Sequence, residues 1–223
     1  MNDEDLERAG DTRHTLRQAV ADAASEIESL TPGRSGNASA RAGDTVAITP
    51  TGVPYPEIGP ADIPLLDVEG NRLEGDLEPS SEVPMHLGIY DAMDVGAIVH
   101  AHSPWATTLA VLKEPLPPVH YSIAHAGREV PVAAYEPFGT RALADEAVTA
   151  MTEADSTACI LANHGLVAAG SDVADALETA EAVEAVARVY LQARSVGDPV
   201  ALDDDAMADV ETRFESYGQQ QDG

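Results

Sequence analysis

Residues 158–194 read ACILANHGLVAAGSDVADALETAEAVEAVARVYLQAR. ACILANHG and LVAAG are short apolar runs on either side of a glycine turn, the pattern of two paired strands. The segment from Asp172 onward is a long helix, acidic in its first turn and carrying arginines late, as the helix dipole favours. Two tightly joined strands followed by a long helix give a layered α/β unit with neighbouring strands antiparallel.

The rest of the chain extends this reading in both directions. Leu6, Ala9, Leu16, Ala19, Val20, Ala23, Ala24, Ile27 and Leu30 recur mostly at three-and-four spacing, predicting an amphipathic helix over 4–30. TPGRSG (31–36) ends it. NASAR (37–41) and TVAIT (45–49) read as strands about a Gly-Asp turn, and LLDVEGNRLEG as a hairpin bending at Gly-Asn. PTGVPYPEIGP carries too many prolines for a ladder position. PSSE (79–82) has the look of a helix start before MHLGIYDAM. Beyond it AIVHAH (97–102) reads as a strand, WATTLAVLK as a helix, EVPVAAY as a strand and FGTRALADEAVTAMTEA as a helix. ADVETRFESYG closes as a short helix, with 219–223 a frayed tail. The expectation is one α/β domain over 1–218, with helices layered on a largely antiparallel sheet.

The 223 residues carry 12 Lys+Arg against 39 Asp+Glu, a formal net charge of -27. That charge excludes a general binder of nucleic acid or anionic membrane, since a phosphate backbone would be repelled by most of the surface. Lys113 is the only lysine, and a surface this acidic suggests a halophile's cytosol, where salt screens self-repulsion. An acidic surface at ordinary salt is the alternative. The lone lysine sits before a proline-rich turn, which argues against a Schiff-base mechanism needing a buried amine. Cys159 alone permits no internal disulfide and no Cys-x-x-Cys site. MNDEDLERAG is unlike a signal peptide and no run of about 18 apolar residues suggests a span, so a soluble cytoplasmic protein is expected.

His100-x-His102 carries the strongest chemical signal. On a strand, positions i and i+2 point the same way with Cα atoms roughly 6.5–7 Å apart, so both imidazoles can reach one ion. His164 stands at the end of another expected strand beside a glycine turn, and Glu82 opens a helix. Three histidines, a carboxylate and room for substrate form the donor set of a catalytic zinc site. Edge histidines making ordinary hydrogen bonds are the competing reading.

Eight stretches carry a family resemblance: GRSGNASAR, ITPTGVPYPEI, LEPSSE, IVHAHSPWAT, VHYSIAHAG, PFGTRALA, ILANHGLVAAG and RFESYG. Together they span roughly 30–218, and the chain resembles the class II aldolase/adducin family, nearest its bacterial sugar-phosphate aldolases. The resemblance implies a three-layer αβα subunit with a central antiparallel sheet, assembled as a four-fold homotetramer with active sites between subunits. It implies one Zn2+ per subunit on His100, His102 and His164, with Glu82 as both ligand and proton-transfer residue. Substrate phosphate would meet Asn37, Thr51, Gly52, Ser80 and Ser81, a lysine-free site of hydroxyls and loop N–H groups.

The resemblance further implies that Tyr121 reaches into a neighbouring subunit's site. Phe138, Phe214 and Tyr217 would form the aldehyde-side wall and C-terminal lid. The implied reaction is reversible cleavage of a ketose 1-phosphate of the L-fuculose type to dihydroxyacetone phosphate and an aldehyde such as L-lactaldehyde. Each site residue also has a plainer reading. Ser80 or Ser81 could cap a helix, Asn37 sit in a turn, Thr51-Gly52 be loop, Tyr121 be a half-buried aromatic and the phenylalanines be core. His86, on the early helix, could stand behind the metal ligands but reads sooner as a helix-surface residue, and His125 has no assigned role. The tail GQQQDG lacks the cation often found there in such aldolases. Within the family a pentulose-5-phosphate 4-epimerase is the alternative enzyme, a methylthio-sugar hydro-lyase a weaker one, and an adducin-like scaffold the non-catalytic alternative.

Overall fold

A computed structural model describes residues 3–33 and 35–214. Tyr217 and the tail 219–223 lie outside them. The elements are α1 (Asp3–Leu30), β1 (Gly36–Ala42), β2 (Thr45–Ile48), β3 (Leu65–Asp67), β4 (Arg72–Glu74), α2 (Val83–Ala92), β5 (Ala97–Ala101), α3 (Pro104–Leu112), β6 (Val132–Ala133), α4 (Arg141–Glu153), β7 (Ala158–Leu161), β8 (Gly165–Gly170), α5 (Val173–Arg194) and α6 (Asp204–Phe214). Short 3-10 turns cover Tyr55–Glu57, Pro60–Asp62 and Tyr121–His125. Among the described residues no helix is long and apolar enough to cross a membrane.

The eight strands form one sheet in the order β4-β3-β2-β1-β5-β8-β7-β6. Every pairing is antiparallel except β6 with β7. Alternation along the strands separates two apolar layers. Ala38, Ala40, Ala97, Val99, Ile160, Leu166 and Ala168 pack with α1, α3 and α5, including Val20, Ile27, Leu109 and Val183. Their neighbours Val46, Ile98, Cys159, Leu161, Val167 and Ala169 pack on the other side with Met85 and Ile89 of α2 and Leu143 and Met151 of α4. The result is the expected three-layer αβα arrangement.

Two differences from the sequence reading bear on the site. The strand expected across EVPVAAY is two residues long, so the chain from Ala134 to Thr140 crosses as loop. At the start of α2 the acid is the N-cap residue itself. Glu82 makes no capping bond, and the Ser80 hydroxyl accepts from Glu82 N–H at 3.2 Å.

Candidate metal centre and substrate cavity

The centre is built where β1, β5 and the β7–β8 turn meet the first residue before α2. Asn37 and His100 are direct cross-strand partners on the face that looks toward α2. His102 follows β5 immediately, and its backbone N–H donates to Thr31 Oγ1 at 2.8 Å, fastening it to the segment after α1. Just beyond, the Glu184 carboxylate of α5 accepts from the N–H groups of Trp105 and Ala106, both at 2.9 Å, satisfying the open start of α3. His164 sits in the turn between β7 and β8, after Asn163 in the left-handed conformation at φ 55°, which a short polar side chain tolerates.

Gly165 is required there, since a Cβ would lie 2.6 Å from the Ala101 carbonyl oxygen and 2.9 Å from His102 Cδ2. Gly165→Ala is therefore expected to cost about 1–3 kcal/mol and to weaken cation binding by displacing the His102 ring. Thermal melts with and without zinc check this; unchanged zinc affinity would contradict it.

The three imidazole rings stand edge to face with centroids 4.8–4.9 Å apart. One nitrogen from each lies within 4.8 Å of the others. His100 donates its Nδ1–H to the Leu166 carbonyl at 2.8 Å, which leaves the Nε2 lone pair facing inward. That Nε2 is 3.0 Å from Glu82 Oε2 and 3.1 Å from His102 Nε2. Glu82 Oε1 is 3.5 Å from His164 Nε2 and, though buried, has no hydrogen-bond partner. A lone pair held against a carboxylate and an unpartnered carboxylate oxygen are both satisfied by a divalent cation between the imidazoles. Three imidazoles and one carboxylate fit zinc.

Burial pushes His100 and His102 below the ordinary imidazole range. His164 is pushed to about 4 by burial and by the neighbouring His100. The rings are thus neutral and available as ligands at neutral pH. Burial alone would raise Glu82, but His100, the Asn37 hydrogen bond, His164 and His86 outweigh it and hold the carboxyl low.

A cavity of about 380 Å³ opens over this cluster. Its wall includes ten of the thirteen residues singled out from the sequence: Asn37, Thr51, Gly52, Ser80, Ser81, Glu82, His100, His102, Phe138 and His164. Phe138 is 71% exposed at the rim and is not a core residue. Asn37 has its carbonyl and one amide hydrogen committed to His86 and Glu82, so a single N–H remains for a ligand. Tyr135, expected as the last residue of a strand, and Glu136, which no motif singles out, also line the wall.

Tyr121 and Phe214 lie elsewhere. They line a separate cavity of about 570 Å³ with Ser122, His125, Asp209, Val210 and Arg213, their rings 6.3 Å apart. Tyr121 is 55% exposed, and His125 packs edge-on to Phe214 at 4.8 Å. One chain alone does not bring either ring to the histidines.

His86 overturns the helix-surface reading. It is fully buried, because α2 is enclosed between the sheet and α4. Burial pushes its pKa down to about 3. The unfolded chain, with an ordinary value near 6.5, binds this proton first, so stability falls with pH across the window from 6.5 to 3. At pH 5 the expected loss from this residue is about 2 kcal/mol. Acid titration of unfolding on metal-free protein checks it, since a flat stability between pH 7 and 5 would contradict the burial of a neutral ring.

The family model described as Class II Aldolase and Adducin N-terminal domain matches residues 18–191. The 5-deoxy-D-ribulose 1-phosphate aldolase of Bacillus thuringiensis serovar kurstaki is 45% identical over 194 residues, 86% of this chain and 90% of that one. The L-fuculose phosphate aldolase of Escherichia coli K12 is 36% identical over 211 residues, 92% of this chain and 97% of that one. A solved L-fuculose 1-phosphate aldolase superposes with a TM-score of 0.87 at 40% identity, covering 90% of this chain and 96% of that one.

Proposed function

The chain belongs to the class II aldolase and adducin family, and from that premise we propose that it is a zinc-dependent aldolase cleaving a deoxyketose 1-phosphate reversibly. The products are dihydroxyacetone phosphate and a short aldehyde. L-Fuculose 1-phosphate, giving L-lactaldehyde, and 5-deoxyribulose 1-phosphate, giving acetaldehyde, are the candidate substrates. The observation that carries this reading is the convergence of His100, His102 and His164 on one point, with the Glu82 carboxylate against it inside the cavity.

The residues divide the work by position. Thr51 and Ser81 are exposed on the wall and Ser80 lies beneath them. Their hydroxyls, with the N–H at Gly52 and the free Asn37 hydrogen, receive the phosphate without a lysine. This places the carbonyl and adjacent hydroxyl of the ketose toward the three imidazoles. A zinc ion held there supplies the Lewis acid that stabilises the electron pair released from the carbon–carbon bond. Glu82, through its unpartnered Oε1, donates a proton to the carbon that loses the bond and, in synthesis, removes the same proton. Tyr121, supplied by a neighbouring subunit, relays the hydroxyl proton to solvent as the aldehyde carbonyl forms, and Glu82 takes up from solvent the proton it delivers to carbon. Phe138 shields the aldehyde side, together with Phe214 and Tyr217 from the C-terminal segment.

This division requires an oligomer, a homotetramer on this reading, with one zinc per subunit. Zinc-loaded protein is to be assayed with L-fuculose 1-phosphate, 5-deoxyribulose 1-phosphate and ribulose 5-phosphate. Dihydroxyacetone phosphate from either deoxyketose supports the proposal, whereas epimerisation of ribulose 5-phosphate alone would replace it. Mixing inactive Glu82→Gln and Tyr121→Phe chains after dissociation should restore part of the activity, because some mixed sites receive an intact residue from each chain. No recovery would contradict shared sites.

A further inference from the structure

A single line of buried side chains runs from α2 to Glu82. Tyr90 OH is 2.7 Å from Ser39 Oγ, and Ser39 Oγ is 2.6 Å from His86 Nδ1. His86 Nε2 is 2.6 Å from Asn37 Oδ1, and Asn37 Nδ2 donates to Glu82 Oε2 at 3.0 Å. Ser39 and His86 are fully buried, and Tyr90 is 4% and Asn37 6% exposed.

Donor and acceptor arithmetic gives the line one direction. Asn37 spends an N–H on the carboxylate, so its carbonyl oxygen must accept from His86, whose proton therefore sits on Nε2. His86 Nδ1 is then an acceptor, so Ser39 donates to it and Tyr90 donates to Ser39. The far end is anchored: the Arg41 guanidinium stacks over the Tyr90 ring at 4.9 Å and donates to the Tyr90 and Val95 carbonyls. Reversing any member would reverse Asn37 and turn its carbonyl toward the carboxylate, an acceptor against an acceptor.

We propose that His86 is a positioning residue: as the Nε2–H tautomer it holds Asn37 amide-first against Glu82, tethering Oε2 and leaving Oε1 as the oxygen that moves the proton. This rests on the aldolase reading for the proton's destination, though not for the tautomer. His86 does not line the substrate cavity, and its side-chain hydrogen-bonded path to Glu82 runs through Asn37.

Two measurements on the full chain test it. Long-range proton–nitrogen NMR, with the His86 signals assigned by their loss in His86→Gln, is expected to place the proton on Nε2. Exchange of the hydroxymethyl hydrogen of dihydroxyacetone phosphate with solvent deuterium isolates the Glu82 step: one C–H bond breaks to the carboxylate and one C–D bond forms in return. In zinc-loaded His86→Leu this exchange is expected to fall at least tenfold, with zinc stoichiometry and dihydroxyacetone phosphate affinity kept. His86→Gln, whose amide can still donate to Asn37, should recover most of the rate. Ser39→Ala leaves His86 Nδ1 without a donor while Asn37 still accepts from Nε2–H, so it should loosen the ring and slow exchange with the proton kept on Nε2, and serves if His86→Leu does not fold. A proton on Nδ1 in the native protein, or equal exchange in the leucine and native proteins, would overturn the proposal. Native protein that exchanges nothing would sink the aldolase reading, while the tautomer would still decide the role of His86.

Discussion

Replacing Glu82 with glutamine is expected to lower kcat by about 10²–10⁴-fold, the usual worth of a positioned acid/base group, while zinc remains bound at one ion per chain. The amide has the size of the carboxylate and can still meet Asn37, so the buried network loses no partner. The three imidazoles are untouched. What disappears is, among the described residues, the one carboxylate in contact with the cluster: Oε1, buried and without a hydrogen-bond partner, is the atom free to carry a proton. Steady-state cleavage and deuterium exchange should fall together. A variant that keeps exchange within a few-fold of the native rate would remove Glu82 from the mechanism. A variant that loses zinc as well would make it chiefly a ligand.

Loss of an imidazole should have a different signature. His100→Ala is expected to abolish both cleavage and zinc binding, because His100 is the most enclosed of the three rings and its orientation is fixed by the Leu166 carbonyl. In the native protein, zinc at a thousand times its dissociation constant should add about 4 kcal/mol of stability. That corresponds to a rise in Tm of roughly 8–16 °C for a chain of this size. In His100→Ala the rise should vanish. Chelation of native protein should reproduce the inactivity, with zinc or cobalt restoring it. An alanine variant that retained the zinc-dependent rise would place the ion elsewhere.

Much of this site was legible because its residues obey simple periodicities. His100 and His102 follow the two-residue repeat of a strand, and His164 stands at a turn whose small residues announce it. The pairing of Asn37 with His100 came only with the sheet register, which alternation within one strand does not fix. Helices and strands were found where the apolar spacing was clean, as in α1 and in the β7–β8–α5 run. The reading failed where burial depends on what packs above. The helix-surface reading of His86 fails for this reason. Met85, Gly88, Ile89 and Tyr90 around it are all buried, and a helix apolar on every side is enclosed. Its place four residues after Glu82 put the two on one helical face. The loop carrying Tyr135, Glu136 and Phe138 was hidden by an apolar run that pairs over only two residues before Pro137. Periodicity says nothing about where Tyr121 and Phe214 stand relative to the histidines, and within one chain they line a separate cavity.

X-ray absorption at the zinc edge of the loaded protein bears most directly on the central claim. Three imidazole nitrogens at about 2.0–2.1 Å, one ion per chain, and loss of a nitrogen scatterer with loss of activity in His164→Ala are the expected result. An ion surrounded by oxygen alone, or stoichiometric cleavage by protein holding no metal, would contradict it.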